Sequence, residues 1–234
     1  MAEMRDTRDP RDAGNGDNRA RAERMAKILI DIGAVGARPE EPFTLTSGTK
    51  SPVYIDCRRL ISFVAEREET VAMLESLIRE SADQPVQYVA GGETAGIPYA
   101  AFVSAKMRLP MLYVRKQAKG FGRNAQVEGN VVEGSRGILV EDLMFDGGSK
   151  VNFINGLRNA GLLVNRVYVV ASYALTDEYE KSLGAIGVRA YWLTDWPTIV
   201  DVGETAGFFS PRAASMIREF LRNPHEWSRA RGGK

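Results

Sequence analysis

The stretch from Gly137 to Lys150 constrains the fold of this chain more than any other. It begins with a continuous apolar run, the pattern of a strand that is buried on both faces of a sheet. The acidic residues Glu141 and Asp142 follow, and after them come a glycine-containing turn and the apolar spacing of a helix. This order predicts a corner that can hold a sugar phosphate, because turn amides and a helix N-terminus both favour an anion.

The acidic pair and the glycines of this stretch allow two interpretations. Gly147 and Gly148 permit positive φ angles and a close backbone approach, while paired carboxylates can bind ribose hydroxyls or the water shell of a metal ion. The stretch is not a Walker A loop, because Lys150 follows Ser149 instead of preceding it, and it lacks the G-x-G-x-x-G pattern. By itself it is equally compatible with a buried strand, an ordinary turn and two solvated carboxylates.

Composition excludes several classes of function. The 234 residues suffice for one sizeable domain, and the net charge of +1 gives no electrostatic reason to expect nucleic-acid or membrane binding. The single cysteine, Cys57, excludes an internal disulfide and a multi-cysteine zinc site. The single histidine, His225, is expected to pack or cap a helix. Since the chain has no apolar run of about 20 residues and no signal-peptide core, we expect a cytoplasmic protein.

Strands alternate with helices along most of the chain. Residues 1–20 are polar and predict a disordered tail, whereas residues 21–234 predict a single domain. Strands are predicted at 86–92, 109–116, 163–174 and 188–194, besides the one that begins at Gly137. Helices are predicted at 21–32, 66–82, 149–160, 176–183 and 211–223, and one more ends at Met107. This alternation predicts an α/β fold with a mostly parallel central sheet flanked by helices.

A hairpin is predicted before the first long strand. Phe43 and Leu45 alternate with polar residues, as do Val53 and Ile55, and the turn-forming residues 47–50 separate the two runs. An ordinary hairpin with a solvated lysine is one interpretation of this pattern. A segment that covers a ligand is the other.

Three loops follow predicted strands, at residues 93–98, 115–129 and 141–149. Ligands of parallel sheets bind at the carboxyl ends of the strands, so all three loops are expected to open on one edge of the sheet. We therefore expect Glu141 and Lys116 to border the same cavity.

The second of these loops has the composition of a lid. It is long for a connection and rich in glycine, and such loops are usually functional. Arg115, Lys116, Lys119 and Arg123 place four cations within nine positions, which suits closure over a polyanion. A solvated basic loop is the alternative.

Three segments resemble type I phosphoribosyltransferases, and the orotate phosphoribosyltransferases in particular. The central V-E-D-L-M-F-D-G-G-S is similar to the phosphoribosyl-diphosphate signature of the whole group. F-T-L-T-S-G-T-K-S-P-V-Y-I-D-C-R, at residues 43–58, resembles the substrate-covering segment of the orotate enzymes. V-R-K-Q-A-K-G-F-G, at residues 114–122, resembles their catalytic loop. The resemblance extends over about residues 22–227.

The resemblance implies a type I phosphoribosyltransferase-like fold with a small N-terminal hood at about residues 21–63. It implies an enzyme that transfers the 5-phosphoribosyl group from phosphoribosyl diphosphate to orotate. The products are orotidine 5′-monophosphate and pyrophosphate, in de novo pyrimidine biosynthesis, with Mg²⁺ as the cofactor. It also implies a homodimer, because the lid of this family often reaches the neighbouring subunit's site.

Roles for the cations and carboxylates follow from the same resemblance. Lys119 would stabilise the leaving diphosphate, with Arg115 and Lys116 in support. Glu141 and Asp142 would hold the ribose hydroxyls and steady the cation that develops on the ribose, and they are assigned to catalysis together with Lys119.

The remaining substrate contacts are implied in the same way. Lys50 and Tyr54 would lie near the base, and Phe121 would contact substrate from the lid. The backbone at the carboxyl end of the central stretch would wrap the 5′-phosphate. Its residues are Leu143, Met144, Phe145, Asp146, Gly147, Gly148 and Ser149.

Several positions depart from the family pattern. Phe121 stands where the family usually has histidine, and Phe145 where it has threonine. Asp146 replaces a threonine or alanine in the phosphate turn, and we expect its side chain to point out of that turn. Ala95 stands about where some relatives carry a lysine, and residues 173–176 contain no arginine for the orotate carboxylate.

These departures leave two alternatives. A phosphoribosyl-diphosphate-binding regulatory protein would keep the fold and the site without turnover. A phosphoribosyltransferase for another base would keep the chemistry, although the 43–58 segment argues against it.

Overall fold

The computed structural model describes residues 15–45, 48–120, 126–174 and 176–234. The strands are β1 (Val35–Ala37), β2 (Phe43–Thr44), β3 (Lys50–Ser51), β4 (Val53–Ile55), β5 (Tyr88–Gly92), β6 (Met111–Val114), β7 (Val127–Glu128), β8 (Arg136–Met144), β9 (Leu163–Ser172) and β10 (Arg189–Asp195). The α-helices are α1 (Asn15–Asp31), α2 (Val64–Ser81), α3 (Gly96–Met107), α4 (Gly148–Asn159), α5 (Thr176–Ser182), α6 (Trp196–Thr205), α7 (Pro211–Arg222) and α8 (Pro224–Arg229). Short 3₁₀ helices lie at Cys57–Ser62 and Gly184–Ile186.

The central sheet of the described chain has six strands in the order β10-β9-β8-β5-β6-β7. Neighbouring strands from β10 to β6 are parallel, and β7 pairs antiparallel with β6 at the edge. The residues of β8 show how the apolar run forms this sheet. Ile138 and Val140 face the core that includes α2 and α3, whereas Leu139 faces the core that includes α4. The predicted α/β fold with a mostly parallel sheet is confirmed.

The N-terminal segments form two small sheets beside the main one. β2 pairs with β3, and Phe43 lies opposite Ser51. β4 pairs instead with β1, and Val35 lies opposite Ile55. The predicted hairpin therefore exists as β2–β3, but the prediction that residues 53–55 pair with 43–45 is wrong. Pro52 follows β3 directly, and the chain passes to a different partner there.

The C-terminal residues hold this hairpin against the main domain. The Ser228 hydroxyl is fully buried and accepts a hydrogen bond from the backbone N–H of Lys50 at 2.8 Å. The backbone N–H of Lys234 donates to the carbonyl of Gly48 at 3.1 Å. The C-terminal residues are thus joined to the hairpin, a contact that no local pattern predicts.

Helix boundaries differ from prediction at the N-terminus. α1 begins at Asn15, earlier than the predicted start at residue 21. Its first turns carry charged side chains instead of an apolar stripe, and Arg19 pairs with Glu23 one turn later at 2.7 Å. Such i,i+4 pairs stabilise a helix without any apolar signal. The predicted disordered tail of residues 1–20 is therefore wrong for residues 15–20, and residues 1–14 lie outside the described residues. In the part of the chain that the structure describes, no helix is long and apolar enough to span a membrane.

The end of the chain contains two unpredicted helices, α6 and α8. α6 starts directly after β10, where Asp195 accepts a hydrogen bond from the backbone N–H of Thr198 at 3.0 Å. The predicted helix α7 is capped by Ser210, whose hydroxyl accepts from the N–H of Ala213 at 3.2 Å. His225 is exposed near the start of α8, so the expectation that it packs is wrong, whereas Trp227 is buried.

Candidate active site

A cavity of about 690 Å³ opens at the carboxyl edge of the sheet. Four segments line it: the 3₁₀ helix after β4, the 93–98 loop after β5, Lys116 after β6, and the strand and helix around Glu141 and Ser149. The expectation that Glu141 and Lys116 border one cavity is confirmed. Parallel strands bring these segments together, although they are far apart in the sequence.

Glu141 is buried and fixed on both carboxylate oxygens. The backbone N–H of Gly92 donates to Oε1 at 2.7 Å, and the Nζ of Lys150 lies 3.4 Å from Oε2. Lys150 is itself buried, and its ammonium also donates to the Ser149 hydroxyl at 3.2 Å. The carboxylate therefore ties the end of β5 to β8 and α4.

Glycine is required at positions 92 and 96, where the Glu141 carboxylate lies against the backbone of the loop after β5. A Cβ at Gly92 would lie 2.6 Å from Glu141 Oε1, and a Cβ at Gly96 would collide with the same oxygen. The motif of glycines around residues 91–96 thus makes room for a buried acid, not only for a ligand. The peptide between Glu93 and Thr94 in this loop is cis.

Burial changes the acidity of both carboxylates. Desolvation raises the pKa of Glu141 to about 7, opposed by the charge of Lys150 and by the hydrogen bond from Gly92. Desolvation likewise raises the pKa of Asp142, again opposed by Lys150. Asp142 is half-buried and does not line the cavity, but its charge acts on Arg58, which does.

The turn after β8 has the backbone form that the sequence predicts. Gly147 has a φ of 83°, and a Cβ there would lie 2.8 Å from the Ser182 hydroxyl. The carbonyl of Gly147 accepts from the N–H of Lys150 and so begins α4. Asp146 is exposed, as expected, but its Oδ1 accepts from the N–H of Gly148 at 2.9 Å. One amide of the predicted phosphate turn is therefore already bonded.

Side chains between the acidic pair and this turn pack into the protein. Met144 is almost fully buried, and Leu143 packs against the core. The Phe145 ring meets Tyr173 edge-on at a centroid distance of 4.7 Å. These three residues can therefore offer a ligand mainly their backbone.

The described part of the lid shows two different orientations. The guanidinium of Arg115 lies 3.3 Å from Glu128 of β7, and Arg115 does not line the cavity. Lys116 does line it, because its N–H donates to Glu93 at 2.9 Å and its carbonyl accepts from Asn152 at 3.0 Å.

Farther along the lid, Lys119 is exposed and does not line the cavity. Phe121 and Arg123 lie outside the described residues. Their predicted roles, like that of Lys119, stay predictions.

The hood contributes Arg58 instead of the residues that were predicted. Lys50 Nζ donates to the Thr44 hydroxyl at 2.7 Å, and neither Lys50 nor Tyr54 lines the cavity. Arg58 lines it, and its Nη2 donates to the Tyr54 hydroxyl at 3.0 Å.

Comparison with known proteins decides the family. No family model matches the chain. However, it is 42% identical over 206 residues to an orotate phosphoribosyltransferase of Ruegeria sp., covering 88% of this chain and 91% of that protein. The chain belongs to the orotate phosphoribosyltransferase family.

Solved structures agree with this assignment. An orotate phosphoribosyltransferase from Aeropyrum pernix superposes with a TM-score of 0.67 at 31% identity, covering 80% of this chain and 99% of that one. The UMP synthase of Leishmania donovani superposes with a TM-score of 0.75 at 27% identity, over 86% of this chain and 42% of that longer one. The type I phosphoribosyltransferase fold is thereby confirmed.

Within this family frame, the structure explains one departure. Phe145, where the family usually has threonine, extends an aromatic cluster in which Tyr173 lies 5.9 Å from Trp196. The larger side chain is therefore accommodated by packing, and the polypeptide of the turn keeps its form.

Sequence reasoning missed four residues that the structure brings to the site. They are Arg58, Glu93, Lys150 and Asn152. Lys150 had a detectable signal, since a lysine in the first turn of the helix after an acidic strand end is placed to neutralise that acid. For Arg58 and Asn152 no local pattern indicates that their side chains reach the cavity.

Proposed function

We propose that this member of the family transfers the 5-phosphoribosyl group of phosphoribosyl diphosphate to orotate, releasing pyrophosphate. One observation carries the proposal. Glu141, Lys116 and Ser149 reach one cavity at the carboxyl edge of a parallel sheet, and that cavity is large enough for a drug-sized ligand. Its lining combines cations, a carboxylate and an apolar wall, which suits a charged sugar joined to a flat ring.

The reaction places particular demands on these residues. As the diphosphate leaves, the ribose acquires oxocarbenium character, so the protein must align two reactants and neutralise the departing charge. We propose that the turn amides near Gly147 and Ser149 hold the 5′-phosphate. Lys116, fixed through its backbone beside Glu93, and Lys119 from the lid would meet the diphosphate.

The two carboxylates divide the work in this proposal. Glu141 is committed to Gly92 and Lys150, so it holds the 93–95 loop against the turn. Asp142 is the acid that keeps capacity for the ribose hydroxyls and for the developing positive charge.

Magnesium fits this arrangement through the substrate. Among the described residues, no group of three His, Cys, Asp or Glu side chains could hold a metal ion by itself. Mg²⁺ is commonly held by one or two carboxylates together with substrate phosphates. We propose the diphosphate as its main ligand, with Asp142 acting on the ion through its water shell, since Asp142 does not line the cavity. Once bound, the ion would neutralise charge on the leaving group.

We also propose a homodimer in the cytoplasm. The lid cations Arg115 and Lys119 stand outside the cavity of their own chain, which is consistent with a lid that serves a neighbouring subunit. Size measurement by light scattering checks this state, and a monomer at working concentration would contradict it.

The reaction itself is tested by following the ultraviolet absorbance of orotate with purified protein, Mg²⁺ and phosphoribosyl diphosphate. We expect orotate to disappear only when all components are present, and uracil to be a poor substitute. Tight binding of phosphoribosyl diphosphate without loss of orotate would support the regulatory alternative. Consumption of a purine base instead would support a transferase for another base.

A further inference from the structure

Orotate poses a recognition problem that the predicted residues do not solve. The base carries a carboxylate on its ring, and this group alone distinguishes it from uracil. A site that selects orotate therefore needs a cation at the base end of the cavity, and a guanidinium matches a carboxylate best because it offers paired N–H donors. Residues 173–176 contain no arginine that could serve.

Few described cations reach the cavity. Arg58 and Lys116 line it, while Lys50 and Arg115 do not. The backbone N–H of Lys116 donates to Glu93 and so places Lys116 beside the 93–95 loop, and the proposed function already assigns Lys116 to the diphosphate. Arg58 remains for the base.

The surroundings of Arg58 suit a planar anionic ring. Its Nε donates to Asp56 Oδ1 at 2.7 Å and its Nη2 donates to the Tyr54 hydroxyl at 3.0 Å, so the guanidinium plane is oriented by its own hood. No hydrogen-bond partner is found for Nη1 among the described residues. Ile61, Ile97 and Pro98 line the same cavity and supply apolar contact area.

The charge of Arg58 is also secure. The hydrogen bond and the charge of Asp56 raise its pKa, and the charge of Asp142 adds to this effect. Arg58 lines the same cavity as Glu141, beside the end of β8 that is proposed to hold the ribose.

We propose that Arg58 binds the carboxylate of orotate and determines the selectivity for orotate over uracil. This inference rests on the proposed function. Asp56 and Tyr54 act as positioning residues that orient the guanidinium. Nη1 is the donor that bonds the carboxylate of orotate.

The test compares Arg58→Gln and Arg58→Lys with the wild-type protein in steady-state assays. Arg58→Gln should raise the KM for orotate about a hundredfold, because a charged hydrogen bond is lost from a substrate carboxylate. The Kd for phosphoribosyl diphosphate should change less than about threefold. Arg58→Lys keeps the positive charge but loses the paired N–H donors of the guanidinium. Its KM for orotate should therefore lie between those of the wild-type protein and Arg58→Gln. The preference for orotate over uracil, as a ratio of kcat/KM, should fall in the same order.

Arg79→Gln is the matched control, because Arg79 is exposed on α2 and pairs with Glu75 at 2.8 Å, away from the cavity. It should leave both constants unchanged. Phosphoribosyl-diphosphate binding by each variant reports that the fold is intact. Should Arg58→Gln fail to fold, Arg58→Lys still decides the question.

Two failures are distinguishable. Wild-type protein that consumes orotate, with variants that keep its KM and its selectivity, would overturn the role of Arg58 alone. Wild-type protein that binds phosphoribosyl diphosphate but never consumes orotate would overturn the proposed function and this inference with it.

Discussion

Two walls of the cavity differ in how they are held. The turn wall, from Glu141 to Lys150, is built on a buried carboxylate, a buried ammonium and a glycine turn. The lid segment, residues 115–129, presents Lys116 and Lys119 as exposed side chains in its described part. The difference teaches that the polar groups of the turn wall are held by packing inside the protein, whereas the described lid lysines are held by nothing that buries them. The following variants test this contrast between the packed turn wall and the exposed lid segment.

The largest effect is expected from the lid. Lys119→Ala should lower kcat by about a hundredfold to a thousandfold, the contribution of one positioned group that stabilises developing charge. Its free energy of unfolding should change little, since the side chain is exposed. Steady-state assays and urea unfolding measure the two quantities.

Lys106→Ala is the control for this change, because Lys106 is an exposed lysine on α3 that faces away from the cavity lining. Turnover by Lys119→Ala equal to that of the control would remove the lid lysine from the mechanism.

In the turn wall, the buried Glu141 should instead affect how the free energy of unfolding depends on pH. The pKa of Glu141 is about 7 when folded, above its ordinary value of 4.5, so the native state binds the extra proton between these two values. Stability from this group is therefore complete below about pH 4.5 and is lost as the pH rises through about 7, by about 3 kcal/mol. Asp142 shifts in the same direction.

Urea unfolding of the wild-type protein and of Glu141→Gln at pH 4.5 and pH 8 isolates this contribution. The wild-type protein should lose about 3 kcal/mol relative to the variant over that interval. Parallel pH profiles would show that the acid is not buried as described.

A smaller effect is expected from filling the space around Glu141. Gly96→Ala places a Cβ against the carboxylate, so we expect a loss of about 2 kcal/mol in the free energy of unfolding. Because Glu141 is bonded to Gly92 at the start of the 93–95 loop, displacing its carboxylate should also displace this loop. We therefore expect kcat/KM for phosphoribosyl diphosphate to fall as well.

Gly184→Ala provides the comparison, since the nearest atom to its Cβ is 3.7 Å away, at Glu180. If the two alanine variants were equally stable and equally active, Glu141 would not be the link between the loop and the turn.

The smallest effect concerns Phe145. Phe145→Thr restores the usual family residue but removes the ring contact with Tyr173, so it should cost about 1.5 kcal/mol in unfolding free energy. The KM for phosphoribosyl diphosphate should stay within about threefold, because backbone amides hold the phosphate. Phe145→Leu, which keeps apolar volume, should lose less stability. A large gain in kcat for the threonine variant would show that its hydroxyl is part of the phosphate site.

Much of the fold follows from sequence patterns that are local. The apolar runs of β5, β8 and β9 and the helices between them are long enough to be recognised, and each boundary error is a few residues at an end. The start of α1 was mistaken because its ion-paired first turns carry little apolar signal. α6 was missed although Trp196, Ile199 and Val200 have helical spacing after the Asp195 cap. The exchange of partners by β4 was missed because strand pairing depends on distant residues.

The candidate site likewise combines features that the sequence predicts with features that depend on tertiary packing. Glu141 lies near the carboxyl end of β8 and Lys116 follows β6, so their meeting at one edge could be predicted from parallel topology. The burial of Glu141 against Gly92 and Gly96 could not, because each residue alone fits a solvent-exposed loop. Arg58 was assigned nothing, since only the packing of the hood turns it towards the cavity.

By itself, the sequence determined the parallel sheet, the acidic strand end and the glycine turn. The spacing of apolar residues and the order of strand, turn and helix can be recognised within short segments. Only the tertiary structure decided which carboxylate is buried, which cation neutralises it and which hood side chain reaches the cavity. Those outcomes depend on distances between segments that are remote in the chain, and such distances are set by the packing of the whole domain.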